Sequence, residues 1–131
     1  MSNDSTEIVK RTGIARIMYA YKHSWNGLKH AMKNEPAFKQ EVFLVIVLTV
    51  ILFFLPVTTE MKMILFLSNM LVLIVELINS SIEAIIDRIS TDYHDLAKIA
   101  KDMGSSAVFL SLLTMTVLWL YMIIQLIIYY Y

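Results

Sequence analysis

The sequence predicts an all-α membrane protein, in which three transmembrane helices follow an N-terminal amphipathic surface helix. Of the 131 residues, 58% are hydrophobic, whereas a soluble domain contains about 45–50% apolar residues. Three long apolar runs follow a polar N-terminal part, and about 20 apolar residues suffice for a helix to cross the hydrocarbon core. Because the chain has no cysteine, disulfide scaffolds, thiolate metal sites and cysteine nucleophiles are excluded.

The N-terminal helix is indicated by apolar residues that recur at spacings of three and four, as they do on one face of a helix. Arg16, Lys22, Lys29 and Lys33 lie elsewhere around it. A basic amphipathic helix with aromatic residues on its apolar face is typical of the membrane interface, although an ordinary amphipathic core helix shows the same spacing. The apolar face consists of Ile14, Ile17, Met18, Tyr21, Trp25, Leu28 and Met32.

Three apolar runs predict the transmembrane helices. The first is short alone, but Pro36–Gln40 adds a turn at its start, and Thr58–Glu60 connects it to the second. The third carries no charged residue and ends in tyrosines, which fit the aromatic belt at a membrane surface. Before it lies a polar segment, Arg88–Ser106, which we expect to form a loop. The three runs are 42–57, 61–89 and 107–131.

The lysines and arginines predict the orientation in the membrane, because cytoplasmic loops are enriched in basic residues. Seven of the 11 lie at or before Lys39, and Arg88, Lys98 and Lys101 lie in the second loop. The N-terminus and the second loop are therefore expected in the cytoplasm, with the first hairpin and the C-terminus outside. The 11 basic residues balance 11 acidic ones, so the charge does not indicate a nucleic-acid partner.

A stripe of polar residues runs along the second apolar run. At about 100° per residue, its members fall within about 60° of one line, and each charge held at the membrane centre costs about 2.5–3.5 kcal/mol. Such residues face a protein interior or a wet cavity and mark functional sites. We expect that one chain cannot cover this face, which predicts a homo-oligomer with sites at subunit boundaries. The stripe consists of Glu76, Asn79, Ser80, Glu83 and Asp87.

Depth separates the two glutamates of this stripe. Glu76 and Glu83 are seven residues apart, or about 10 Å along a helix, which is too far for both to bind one ion at ~2.0–2.6 Å. Glu83 is expected near the cytoplasmic interface, where it can bind a metal ion within reach of water. Glu76 is expected inside the apolar layer, where removal from water makes a carboxylate a stronger base.

Purely structural roles stay open for several polar residues. Asp87 beside Arg88 can form a solvated ion pair, and Asn79 can simply donate a hydrogen bond to another helix. Asp102 and Ser105 can act as caps at the start of the last helix.

The chain lacks the glycine-rich loops that commonly bind phosphate. It has three glycines and contains neither G-x-x-x-x-G-K-[ST] nor G-x-G-x-x-G. If the protein handles ATP, it must therefore do so with cations, for which Arg16, Lys101 and a carboxylate-bound Mg²⁺ are the candidates. Phosphoryl transfer needs positioned partners, a metal ion that bridges the β and γ oxygens and a base near the hydroxyl.

The run VELINSSIEAIIDRISTDYHDLAKIAKDMGSSAV, from Val75 to Val108, closely resembles the small prokaryotic diacylglycerol kinases. W-N-G-L-K at Trp25–Lys29 and N-E-x-A-F-K-Q-E at Asn34–Glu41 are similar to that family too. The resemblance covers most of the chain. It implies a homotrimeric enzyme of the bacterial inner membrane that transfers the γ-phosphate of MgATP to diacylglycerol, giving phosphatidic acid and ADP.

The resemblance also implies roles for individual residues. Glu76 matches the family's catalytic base, and Glu35 and Glu83 match its metal-binding glutamates. Residues 1–12 are then a flexible tail, 13–34 the interfacial helix and 35–131 the transmembrane kinase domain. Nucleotide contacts are implied for Arg16, His23, Glu35, Glu83, Asp92, His94, Lys101 and Asp102. Lipid-substrate or site-supporting positions are implied for Arg16, Trp25, Glu76, Asn79, Ser105 and Trp119.

Two residues depart from the family pattern. His23 stands where a tyrosine is expected near the nucleotide, which puts that contact in question. Pro36 follows Glu35 where an alanine is expected. Because proline biases the preceding residue away from the helical conformation, we expect a break at Glu35 between the surface helix and the first span.

Two other functions fit part of the sequence. An undecaprenol kinase of the same fold would differ only in its lipid acceptor. A non-enzymatic oligomer, either a proton or ion pathway or a holin-like pore, would account for an intramembrane Glu76. It would not account for a metal-ready Glu83 and a cationic Lys101 on the same side of the membrane.

Overall fold

The computed structural model describes residues 12–89 and 94–131. This part of the chain forms four helices, three of which are long and apolar enough to cross a membrane. The all-α fold class with three candidate spans is thereby confirmed. Residues 1–11 of the expected tail lie outside the described ranges. The helices are α1 (Ile14–Asn34), α2 (Pro36–Phe54), α3 (Thr59–Ile89) and α4 (Asp95–Tyr130).

A single residue, Glu35, separates α1 from α2. Its backbone is extended, with φ −101° and ψ 104°, and Pro36 occupies the start of α2. Proline suits the first position of a helix, where no backbone N–H is needed, but it keeps the residue before it out of the helical region. The Glu35 N–H closes the last turn of α1 by donating to the Ala31 carbonyl (2.9 Å). The predicted break is confirmed.

α1 has the predicted apolar face, and this face is exposed in the isolated chain. Ile14, Ile17, Met18 and Tyr21 are all largely exposed. The buried residue of α1 is Ala31, in its last turns, where the helix contacts α2. The placement of α1 at the membrane surface stays a prediction.

The connection between α2 and α3 is shaped by Pro56 and Thr58. α2 ends at Phe54, earlier than predicted, because proline favours an extended conformation in the residue before it. Thr58 Oγ1 accepts a hydrogen bond from the Met61 N–H (3.3 Å). This cap starts α3 at Thr59, slightly before the predicted start at Met61.

α4 begins much earlier than predicted, so most of Arg88–Ser106 is helical and the expectation of a long loop is wrong. The helix starts at Asp95 rather than at Ala107. His94 caps it, because its side chain accepts a hydrogen bond from the Leu96 N–H (3.3 Å). Asp95 in the first turn also suits the positive end of the helix dipole.

Asp102 and Ser105 therefore lie inside α4 and do not cap it. Asp102 accepts a hydrogen bond from Lys98 Nζ, one turn earlier (2.5 Å). Pairs at this spacing stabilise exposed helix, which explains how this polar stretch continues the apolar helix beyond the membrane.

α3 packs against both α2 and α4, and buried residues set the register. Counted away from the connection, the buried side chains of both α2 and α3 include a series with steps of seven, four and three residues. In an antiparallel pair, this equal spacing gives the two helices matching buried faces. The corresponding positions of the two series are Leu52 and Leu65, Val45 and Val72, Glu41 and Glu76, and Phe38 and Asn79.

The interior of the bundle changes character along its length. Towards the α2–α3 connection it is an apolar core that contains Leu52, Leu65, Val72 and Met122. Towards the other end its buried side chains include Glu41, Glu76 and Asn79. The buried carboxyl groups are therefore confined to the end that carries the break at Glu35, whereas Ser68 and Asn69 are buried within the apolar part.

Candidate active site

The polar stripe of α3 is partly covered by the chain itself. Glu76 has 4% of its surface exposed and Asn79 has 8%, whereas Ser80 and Glu83 are half-buried and Asp87 is exposed. The expectation that one chain cannot cover this face is therefore wrong for its deepest residues. The end of the stripe that carries Glu83 and Asp87 stays open to water, and these two residues together with Glu76 and Asn79 are called the acidic cleft.

Asn79 links the buried and the accessible parts of the stripe. Its Nδ2 donates to Glu83 Oε1, one turn along α3 (3.2 Å). Its Oδ1 is buried without a hydrogen-bond partner and lies against Gly104 of α4, where a Cβ atom would overlap it. Gly104 thus makes room for Asn79 between α3 and α4, with the amide turned towards Glu83.

Glu35 and Glu83 lie at the same end of the bundle. Glu35 lines a groove of about 560 Å³ between α1 and α3, together with Ser80 and Ser81. Glu35 and Glu83 each interact electrostatically with Glu76. The fold therefore brings two half-buried carboxylates to the end of the bundle that contains buried Glu76. The difference in depth between Glu83 and Glu76 is the one that the sequence predicts, whereas Glu35 was expected from the resemblance alone.

This pair of carboxylates fits Mg²⁺ bound together with a nucleotide. In residues 12–89 and 94–131, no three His, Asp or Glu side chains converge on one point as a complete metal site. Mg²⁺ usually takes one or two carboxylates and completes its shell with water and substrate phosphates. Glu35, which lines the groove, and Glu83 are the carboxylates at this end of the bundle that could supply hard oxygen donors to such an ion.

Lys101 reaches from α4 across to α3. Its Nζ donates to Asp87 Oδ1 (2.5 Å), and it also interacts electrostatically with Glu83. The ion pair that the structure gives Asp87 is thus with Lys101 and not with the adjacent Arg88. One of the two predicted phosphate-binding cations is therefore held beside the acidic cleft.

The structure does not bring the other predicted nucleotide contacts close to Glu35 and Glu83. His94 caps α4 and Asp102 pairs with Lys98, while Asp92 lies outside the described residues. Arg16 precedes Glu35 by 19 positions, or about 28 Å of helix. Arg16 and, to a lesser degree, His23 are consequently separated from the glutamates of their own chain.

Trp25 lines an apolar groove beneath α1. The groove has a volume of about 450 Å³ and includes Phe38 and Val42 of α2 and Leu73 of α3. Lys29 lies over the Trp25 ring, with Nζ 5.6 Å from the ring centroid. A groove lined by apolar side chains, one turn from Glu76, suits an acyl chain. Another predicted lipid contact, Ser105, is exposed beside Gly104.

Trp119 is buried away from the acidic cleft. Its Nε1 donates to Asn69 Oδ1 (3.0 Å), and Asn69 has 0% of its surface exposed. Asn69 lies seven residues from Glu76, or about 10 Å further along α3. Trp119 therefore joins α4 to α3 below the cleft and does not reach the carboxylates.

Sequence reasoning missed two polar residues of the interior, Glu41 and Asn69. Glu41 has 8% of its surface exposed and follows the polar stretch Pro36–Gln40, so it looks like part of a solvated helix end. Asn69 is a single amide in an apolar run, without a charged neighbour to mark it. Both residues lie at the spacing of the buried face of their helix, and this spacing was the signal that could have identified them. It can be recognised only once the buried residues of the helix are known.

Comparison with known proteins agrees with this arrangement. Residues 22–123 match the family described as prokaryotic diacylglycerol kinase. A diacylglycerol kinase of Escherichia coli (strain K12) is 45% identical over 108 residues, which are 82% of this chain and 88% of that protein. A diacylglycerol kinase of Haemophilus influenzae is 42% identical over 111 residues, 84% and 93% of the two chains. One of Pseudomonas aeruginosa is 44% identical over 109 residues, 83% and 89%.

The match covers all three candidate spans, apart from the end of α4, and the whole of the acidic cleft. Because the matched family consists of kinases, the alternative of a non-enzymatic pore or ion pathway is not supported. By these matches and by its three apolar helices, the chain is a bacterial membrane protein that belongs to the prokaryotic diacylglycerol kinase family.

Proposed function

We propose that this protein transfers the γ-phosphate of ATP to the free hydroxyl of diacylglycerol, giving phosphatidic acid and ADP. The observation that carries the proposal is the difference in depth between buried Glu76 and the more accessible Glu35 and Glu83. A lipid hydroxyl lies at the membrane interface while its acyl chains stay in the bilayer, and a nucleotide arrives from water. A site whose carboxylates lie at different depths can hold the lipid and the nucleotide at the same time. The names of the relatives support the same activity.

Glu76 acts as the general base in this proposal. Its carboxylate accepts the proton of the lipid hydroxyl while the hydroxyl oxygen forms a bond to the γ-phosphorus. The bond between that phosphorus and the bridging oxygen of ADP breaks, and ADP leaves with the electron pair. Burial between helices keeps water, the competing acceptor of the phosphoryl group, away from the carboxylate.

Glu35 and Glu83 bind Mg²⁺ together with ATP. These two carboxylates would hold the ion, whose positive charge would offset that of the phosphates. Asn79 orients Glu83 through its amide hydrogen bond, and Lys101 adds positive charge beside it. Further nucleotide contacts are proposed for Arg16, His23, Asp92, His94 and Asp102, and further lipid-side positions for Trp25, Ser105 and Trp119.

The protein is proposed to lie in the inner membrane as a homotrimer, with its N-terminus and the α3–α4 turn in the cytoplasm. The separation of Arg16 from Glu35 within one chain supports assembly, because α1 of one copy can then serve the cleft of another. Since the chain has no cysteine, single cysteines at Thr12 and Thr59 test the orientation. Labelling of Thr12 from the cytoplasm and of Thr59 from outside is expected, and the reverse pattern would overturn it.

The activity is tested with purified protein in mixed micelles. ADP release is measured without lipid, with diacylglycerol and with undecaprenol, and the lipid product is identified by mass. Phosphatidic acid formation that depends on Mg²⁺ is expected. If ADP were released with undecaprenol but not with diacylglycerol, undecaprenol would be the acceptor instead of diacylglycerol. If neither lipid caused ADP release, kinase activity would be contradicted.

Replacement of the base tests the role of Glu76. Glu76→Gln keeps the size and most hydrogen bonding of the side chain but cannot accept the proton. Its kcat should fall by ~10² or more, with unchanged oligomer size and KM for MgATP. Glu60→Gln, an exposed glutamate at the other end of α3, is the matched control. If Glu76→Gln kept most of the turnover, the glutamate would be a structural anchor between helices.

Metal binding is tested at Glu83. Glu83→Gln removes one charge from the proposed ligand pair but keeps the oxygen that accepts the Asn79 hydrogen bond. The Mg²⁺ concentration for half-maximal activity should rise about tenfold or more, because a neutral amide binds a hard cation weakly. Lower activity with an unchanged Mg²⁺ dependence would exclude Glu83 as a ligand.

A further inference from the structure

The interior of the bundle contains a second buried carboxyl group, Glu41, for which the proposed mechanism has no use. Glu41 has 8% of its surface exposed, close to the 4% of Glu76. Its Oε2 atom is buried and accepts no hydrogen bond. A buried charge without a partner is strongly destabilising, so the group needs either a proton or a partner.

The packing of α2 against α3 brings Glu41 close to Glu76, because Phe38 and Val42, on either side of Glu41, line one groove together with Leu73, one turn before Glu76. Glu41 and Glu76 both lie four residues beyond a buried valine, Val45 in α2 and Val72 in α3. The two carboxyl groups are near enough to interact electrostatically. Their closeness thus follows from the packing of the two helices and not from their charges, which repel each other when both groups are ionised.

Within the described residues, no Lys or Arg forms an ion pair with either carboxyl group. In the described ranges, 12–89 and 94–131, the ion pairs are Lys98 with Asp102 and Lys101 with Asp87, both near the cytoplasmic end of α4. The other charged groups that act on Glu76 are Glu35 and Glu83, which are themselves negative. α4 offers no ionisable side chain between Asp102 and Tyr121, the stretch that faces this level.

Two carboxylates that face each other away from water cannot both stay ionised, so the pair shares one proton. The reaction requires Glu76 to be ionised when the lipid hydroxyl arrives. We propose that Glu41 then carries the shared proton and donates it as a hydrogen bond to Glu76, which holds the base in position for the hydroxyl. Glu41 is thus a positioning residue, and this inference rests on the proposed role of Glu76.

Two substitutions separate this role from a space-filling one. Glu41→Gln supplies a neutral N–H donor of the same length, whereas Glu41→Leu has similar bulk but cannot donate a hydrogen bond. Glu41→Gln should keep kcat within a few-fold, and Glu41→Leu should lower it by about tenfold to a hundredfold, the usual worth of a hydrogen bond to a charged group. KM for MgATP should be the same in both variants. The thermal midpoint of Glu41→Leu in detergent should not fall, because an apolar side chain replaces a buried polar one.

The double variant gives the decisive measurement. Because Glu41 acts through Glu76, adding Glu41→Leu to Glu76→Gln should cost little further turnover, whereas independent effects would multiply. Full activity of Glu41→Leu, loss in Glu41→Gln equal to that in Glu41→Leu, or multiplying effects would each overturn the inference. Failure of the Glu76 proposal is distinguishable, because Glu76→Gln alone would then retain its turnover.

Discussion

At the residue scale, the acidic side chains differ mainly in how much water reaches them. Asp87 is exposed, Glu83 is half-buried, and Glu76 and Glu41 are buried. Water supports the charged form of a carboxyl group and allows a hydrated ion to approach, whereas burial favours proton sharing and proton transfer. One residue type can therefore serve metal binding at one depth and acid–base chemistry at another, as proposed for Glu83 and Glu76.

The contact between Gly104 and Asn79 gives a testable case at this scale. In Gly104→Ala the added methyl group overlaps Asn79 Oδ1, so the amide must rotate and its hydrogen bond to Glu83 is lost. We expect kcat to fall about tenfold, with the fold intact because the obstacle is the end of a side chain. Gly27→Ala is the matched control, since a Cβ there meets no atom within 4 Å.

Activity and thermal midpoint of both alanine variants decide the matter. If Gly104→Ala and Gly27→Ala had the same turnover, Asn79 would not need its observed position. If Gly104→Ala also prevented assembly in the membrane, the close approach of α3 and α4 would be the more important role of the glycine.

At the element scale, one deep hydrogen bond joins α3 and α4. Trp119 Nε1 donates to Asn69 Oδ1 (3.0 Å), and both residues are buried. Hydrogen bonds between transmembrane helices are typically worth ~0.6 kcal/mol and at most ~1.7 kcal/mol. The bond therefore fixes the register of α4 against α3 with a modest gain in stability.

Substitution of both partners tests this register. Trp119→Phe leaves the Asn69 oxygen without a donor and should destabilise the protein by about 1 kcal/mol. The double variant Asn69→Leu, Trp119→Phe should recover much of the loss, because no buried polar atom is then left unpaired. Thermal unfolding in detergent measures this, with Trp25→Phe on the exposed face of α1 as control. Additive losses in the double variant would contradict the coupling.

The element boundaries show what the sequence can and cannot predict. The break at Glu35 was predictable, because the effect of Pro36 is local. The early start of α4 was not predictable, because a polar stretch after an apolar run is typical of a loop. The interactions that make this stretch helical, the His94 cap and the Lys98–Asp102 pair, become visible only in the structure. Glu76 was found because a charge stands out in an apolar run. Glu41 was missed because its partner lies in another helix.

At the scale of the whole molecule, the structure divides the site between one chain and the expected assembly. Glu76, Asn79 and Glu83 are brought together within α3, with Glu41 facing them from α2. Arg16 and the exposed apolar face of α1 are left without a role in their own chain. We therefore expect the neighbouring copy to contribute α1 to a cleft whose carboxylates all come from one subunit.

Mixed oligomers test this division. Glu76→Gln and Glu83→Gln remove two carboxylates of the same cleft, so their co-assembly should restore no activity at a Mg²⁺ concentration too low to support Glu83→Gln. Glu76→Gln combined with Arg16→Ala in the other chain should restore activity, because one cleft then retains its own Glu76 and receives Arg16 from its neighbour. Chemical crosslinking in mild detergent should end at three copies, which checks that the mixed assemblies have formed. Restoration by the first pair would place Glu76 and Glu83 of one site in different subunits, and a fully active monomer would exclude a contribution of α1 from any neighbour.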